Sequence, residues 1–203
     1  MQPTCRYSVD RDAPAQCLTF DHRPRVAAAT LPAIKQMKEK IELILQDLIG
    51  LQLTRTTRAA NMECLKFGEQ QVVSINGELW EVGEFGIHLQ CSWRFVDKEK
   101  ILIGSQDVYE PEDENAEYDE DFDWEAGNLR DKKLRGLITT EKLVIETVIA
   151  DNYGGAEIGF SNRVKLQIFP DYSKMDNCSE YWRLLDNRIS SKKHVIISGA
   201  GVQ

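Results

Sequence analysis

The chain is poor in the residues that usually announce chemistry. It has three histidines, His22, His88 and His194, too scattered for an HxH or HExxH pair. Its five cysteines, Cys5, Cys17, Cys64, Cys91 and Cys178, include no CxxC and no close pair. An odd, widely spaced set excludes a disulfide framework and a zinc knot, both of which need paired ligands at short spacing. No apolar run approaches the roughly 18 to 20 residues of a membrane helix, and "LVIETVIA" is only strand-sized. The first sixteen residues carry charges where a signal peptide would have its apolar core. A cytoplasmic protein without cofactor is therefore expected, with neither a membrane nor a structural metal as partner. There is no GxSxG, and neither "YGG" nor "SGAGVQ" opens a helix after a strand, as a phosphate loop must. Both read as turns. Cys91 falls on the apolar face of its strand and reads as a small buried hydrophobe rather than a nucleophile.

Basic residues are missing from one place in particular. Between Asp107 and Glu125 there are eleven carboxylates and no Lys or Arg. The whole chain has 33 acidic and 25 basic residues, so without this block 22 acids would face 25 bases. The net charge of −8 thus belongs to one segment on a nearly neutral body. Such a block is commonly an interaction element.

At 203 residues the prior is one domain with a real core. Residues 1–29 are polar, hold Pro3, Pro14 and Pro24, and show only "CLTF" as a short strand, which reads as a poorly structured extension. The remainder, 30–203, reads as a single α+β domain with an acidic loop at 107–127. Leu31, Ile34, Met37, Ile41, Ile44, Leu45 and Leu48 recur at helical spacing, with Thr30 as cap and Gly50 as stop, which predicts an amphipathic helix over about 31–49. Beyond Gly50 the period becomes two. Asn76-Gly77 predicts a two-residue hairpin turn pairing Ile75 with Glu78 and Val73 with Trp80. "EFGIHLQCSWRF" predicts one long strand with Phe85, Ile87, Leu89, Cys91 and Trp93 on one face, and His88, Gln90, Ser92 and Arg94 on the other. Another strand follows a turn over Asp97 to Lys100. "GNLRDKKLRGL" predicts a short helix over about 128–136 capped by Asn128. "KLVIETVIAD", apolar on both faces, reads as a central strand. A three-residue loop, Ser161 to Arg163, keeps the next hairpin apolar on one side by setting Ile158 against Leu166 and Ala156 against Ile168. The sum is an α+β fold, mainly antiparallel, of eight or nine strands in a meander with two helices.

The acidic block admits three readings. "DEDFDWE" sets Asp119, Asp121, Asp123 and Glu125 at alternate positions of a calcium loop, but Trp124 stands where the loop needs glycine and Arg130 where it needs glutamate. A basic protein partner is the second reading, with Asp113, Glu114, Glu117, Asp119, Asp121 and Asp123 steering it and Trp124 anchoring it. Nucleic acid would be repelled. The third is a solvated loop whose aromatics pack back on the body.

"GLQLTRTTRAANMECLKFG", "EFGIHLQCSWRF", "ILIGSQDVY", "GNLRD" and "YWRLL" resemble segments of a family of small bacterial proteins without an established activity. The resemblance spans roughly residues 48 to 185 and implies no site residues. An acidic, β-rich single domain is also similar in kind to immunity proteins that neutralise bacterial toxins. The leading expectation is a non-enzymatic interaction protein of that kind binding a basic toxin domain through the acidic loop. The alternatives are a metal-assisted hydrolase using carboxylates with His88, and a homo-oligomer subunit or scaffold.

Overall fold

The computed structural model describes residues 31–75, 77–117, 119–174, 179–188 and 193–203. The expected extension at 1–29 and the Thr30 cap lie outside the described residues. Helix α1 (Leu31–Leu45) runs into a 3-10 turn, Gln46–Leu48. It is shorter than the periodicity predicts, yet Ile41, Leu45 and Leu48 are fully buried on one side. Gly50 then turns the chain at φ +88°, a left-handed conformation that glycine adopts without strain.

Among the described residues eleven strands follow, in two sheets whose pairings are all antiparallel. The first six-stranded sheet runs β1 (Leu53–Ala59), β2 (Met62–Ile75), β3 (Glu78–Leu89), β9 (Glu180–Asp186), β10 (Lys193–Ser198), β11 (Gly201–Val202). The second runs β5 (Ile101–Gly104), β4 (Ser92–Val96), β8 (Lys165–Phe169), β7 (Ala156–Phe160), β6 (Ile145–Ala150). One core joins them, with Leu65, Phe67 and Ile87 from the first sheet against Trp93, Phe95 and Leu166 from the second. The antiparallel α+β architecture is as expected, with more strands than eight or nine.

Part of the surplus comes from "EFGIHLQCSWRF", which is two strands. The N–H groups of Gln90 and Cys91 both donate to Tyr181 O, each at 3.0 Å. Two residues opposite one acceptor make a bulge, and a bulge re-aims the chain. Here it carries the chain from the first sheet into the second. The expected alternation survives the break: Ile87, Leu89, Cys91 and Trp93 are all buried. The sheets meet again where residues 51–53 lie against 143–145, with Leu53 N–H donating to Leu143 O and Ile145 N–H to Leu51 O at 2.9 Å each.

β6 is an edge strand, not the central strand that its two apolar faces predicted. Leu143 and Ile145 are buried at the junction with residues 51–53, and Ile149, farther along, is 53% exposed. Helix α2 (Leu129–Thr140) runs past Gly136, because Leu137 and Ile138 still pack on the core. Tertiary contact outweighs the local glycine penalty of about 1 kcal/mol. Both hairpin registers are as derived: Val73 faces Trp80 and Ile75 faces Glu78, while Ile158 faces Leu166 and Ala156 faces Ile168. In the second, Arg163 takes the left-handed turn position at φ +69°.

Candidate functional site

The acidic segment leaves β5 through a 3-10 turn, Ser105–Tyr109, and returns at α2. Leu129 N–H donates to Glu110 O at 2.9 Å and closes the neck of the loop. Inside it, three aspartates do the same local work. The Asp113 carboxylate accepts from Asn115 N–H (3.0 Å), that of Asp119 from Asp121 N–H (2.9 Å), and that of Asp123 from Glu125 N–H (3.0 Å). Their carbonyls accept from Ala116, Phe122 and Ala126 N–H, giving three successive aspartate-led turns. Short acceptor side chains stabilise turns in this way.

Helix α2 straps the loop down from one side. Lys132 Nζ donates to Glu112 O at 2.8 Å, and Arg135 pairs with the Glu112 carboxylate at 2.8 Å. Lys133 lies 3.8 Å from Asp107 and 3.9 Å from Glu114. The loop wraps a hollow of about 620 Å³. Tyr109, Pro111, Phe122 and Leu129 give it apolar walls, while Glu110, Asp113, Glu114, Glu117 and Asp119 contribute carboxylates. Among the described residues no Lys or Arg lies within ion-pair distance of Glu110, Asp113, Glu117 or Asp119. The unpaired negative charge and the apolar surface therefore share one concavity.

Four of the seven sequence-derived residues, Asp113, Glu114, Glu117 and Asp119, line this hollow. Asp121 and Asp123 are exposed beside it. Trp124 is placed differently. Its ring lies under the Arg58 guanidinium, 5.2 Å from the centroid, and edge-on to Tyr109 at 6.0 Å. Its carbonyl accepts from Arg58 Nη2 (3.2 Å) and Asn128 Nδ2 (2.9 Å). Trp124 thus fastens the loop to the body, a cation–π and hydrogen-bond clamp. Asn128 caps α2 as its sequence position implies, its Oδ1 accepting from Asp131 N–H at 2.9 Å. Among the described residues, no group of three or more His, Cys, Asp or Glu is arranged to hold a metal ion.

Beneath the loop lies a pair that composition and motifs did not reveal. Arg130 is fully buried and Glu63 is 1% exposed. Their nearest atoms, Arg130 Nε and Glu63 Oε2, are 3.4 Å apart. Arg130 Nη1 also donates to Asn61 Oδ1 (2.8 Å) and Ser105 O (3.2 Å), and the guanidinium faces the Trp93 ring at 5.8 Å. The segments "NMEC", "CSW", "GSQD" and "GNLRD" therefore meet at one guanidinium. Burial pushes the Glu63 carboxyl up to about 8, against the pull of Arg130. The residue that spoiled the calcium pattern is the tie between the root of α2 and both sheets. Its spacing was readable: Arg130 is four residues before core Leu134, and Glu63 alternates with core Leu65 and Phe67.

His88 is half-buried on β3, away from the acidic loop in sequence and paired across to Arg183 of β9. Burial, then the Arg183 charge, lowers its pKa. The nearby Glu180 carboxylate is bound by Arg183 Nε at 2.6 Å, so it is engaged in an ion pair. Burial pushes the Cys91 thiol up to about 12, which leaves it protonated and unreactive at neutral pH. No protein-family model, curated protein or solved structure matches the chain. No helix among the described residues is long and apolar enough to cross a membrane.

Proposed function

We propose that the protein is a non-enzymatic binding protein that takes a basic protein partner through the acidic loop. The observation that carries this reading is the hollow at the loop. It combines five carboxylates with apolar walls, so a lysine or arginine side chain can lay its alkyl stem on Tyr109 and Phe122 and its cation among the acids. Carboxylates that no internal cation neutralises raise encounter rates with a positive surface. A basic bacterial toxin domain is the partner class that similarity in kind to immunity proteins points to, with the cytoplasm as the place of encounter. Trp124 secures the loop in this account and does not enter the partner.

The test is a variant with Glu117→Gln, Asp119→Asn, Asp121→Asn and Asp123→Asn in the full chain. Partners captured on the immobilised wild-type protein are identified and titrated against both proteins at two salt concentrations. Each exposed charge pair contributes about 0.2–1 kcal/mol, so four neutralised acids weaken binding by roughly tenfold at low salt. The salt dependence flattens as well. Equal binding of both proteins at low salt would sink the proposal.

A further inference from the structure

β2 and β3 outrun their sheet. β1 stays beside β2 only as far as Phe67, and β9 stays beside β3 only as far as Phe85. Beyond those points, residues 70–75 and 78–83 pair only with each other among the described residues. The departure is built in. Gly68 sits at φ +76° where the register shifts between Phe67 and Gln70, and a Cβ on Gly83 would lie 2.5 Å from Phe67 O. A bulge with a glycine on each strand swings the ribbon off the body.

A two-stranded ribbon is marginal in water by itself, and this one is dressed for contact. Leu79 is 78% exposed, Val72 63% and Trp80 52%. Trp80 lies opposite Val73, so that face carries adjoining apolar side chains. Among the described residues both long edges of the ribbon lack a neighbouring strand. Side chains cover only Glu81 O, bonded by Lys66 Nζ at 2.8 Å, and Gly83 O, bonded by Asn187 Nδ2 at 3.0 Å, and the edge groups left open are templates for strand addition. Charge selects the occupant. From Gly68 to Glu84 the chain has Glu69, Glu78, Glu81 and Glu84 and no Lys or Arg. Arg55 pairs with Glu81 at the root; the other three have no cation within ion-pair distance among the described residues. Two copies of the ribbon side by side would bring like charges together, which destabilises a strand pair.

We infer that this ribbon is a strand-addition site for an extended, basic segment of a protein partner with apolar side chains at alternate positions. The partner's backbone pairs with an open edge, its apolar residues cover Trp80 or Leu79, and its cations meet the free carboxylates. The site is separate from the acidic loop and shares with it only the sign of the partner's charge.

The experiment uses the full chain and an acetylated twelve-residue peptide alternating lysine and valine. Its controls are the same composition interrupted by a central proline and a glutamate–valine peptide. Saturable binding of the lysine–valine peptide is expected, with slowed amide exchange over 70–75 and 78–83. The affinity should fall at least tenfold for the proline-interrupted peptide and for Leu79→Ser combined with Trp80→Ser. These two side chains are exposed, so the variant keeps its core. Neutralising Glu117, Asp119, Asp121 and Asp123 should leave the ribbon protection in place. Lack of saturable binding overturns the inference, as does unchanged affinity in the ribbon variant. If binding is instead lost only on neutralising the loop, this inference fails while the acidic-loop reading stands. A ribbon-dependent dimer in sedimentation would give the surface to a second copy and overturn it too.

Discussion

Glu63 and Arg130 show what a single residue can tie together. A buried ion pair adds little net stability, but removing one partner strands the other charge. At about pH 9, where Glu63 is ionised, Arg130→Met should therefore destabilise the fold by about 3 kcal/mol in chemical denaturation, and adding Glu63→Gln should restore part of that loss. A double-variant loss equal to the sum of the two single-variant losses would mean that the pair does not couple. The Glu63 carboxyl also makes a pH prediction. Its folded pKa, about 8, lies above the usual 4.5. Between those values the folded protein holds a proton that the unfolded chain has released, so stability falls as pH rises from about 5 to 8. Urea midpoints at the two ends of this window should show the fall, and Glu63→Gln should flatten it. Both residues were legible as inward-facing from their spacing to Leu65, Phe67 and Leu134. Their meeting was not, since nothing in a period of two or of 3.6 says which strand a helix root will rest against.

Among the elements, local rules worked where turn chemistry decides and failed where tertiary contact does. Asn76-Gly77 and the loop from Ser161 to Arg163 set their registers from residues within the hairpin. β6 misled because its doubled apolar pattern serves a junction with residues 51–53, where Gln52 bridges to Val144 far along the chain. The acidic loop was legible as charge, but its hollow depends on Leu129 closing the neck and on α2 holding Glu112. The root of the ribbon gives a backbone prediction. Gly83→Ala places a methyl against Phe67 O, which cannot retreat as a side-chain tip can. A loss of about 1–3 kcal/mol is expected by thermal or chemical unfolding. An unchanged midpoint would mean that the ribbon moves aside freely.

The whole molecule is two antiparallel sheets over one core, joined by the bulge at Gln90–Cys91 and by the pairing of residues 51–53 with 143–145. That frame leaves two protruding acidic features, the loop after β5 and the β2–β3 ribbon. Charge separated from the core in this way leaves the body free to fold independently of the partner. Titrating the full chain with octalysine while following backbone and aromatic NMR shifts shows whether the loop hollow receives cationic side chains. Saturable shifts are expected at Tyr109, Glu117, Asp119, Phe122 and Leu129, suppressed by added salt and by neutralising the loop acids. Shifts that leave these residues untouched, or that persist in the neutralised variant, would contradict binding in the hollow.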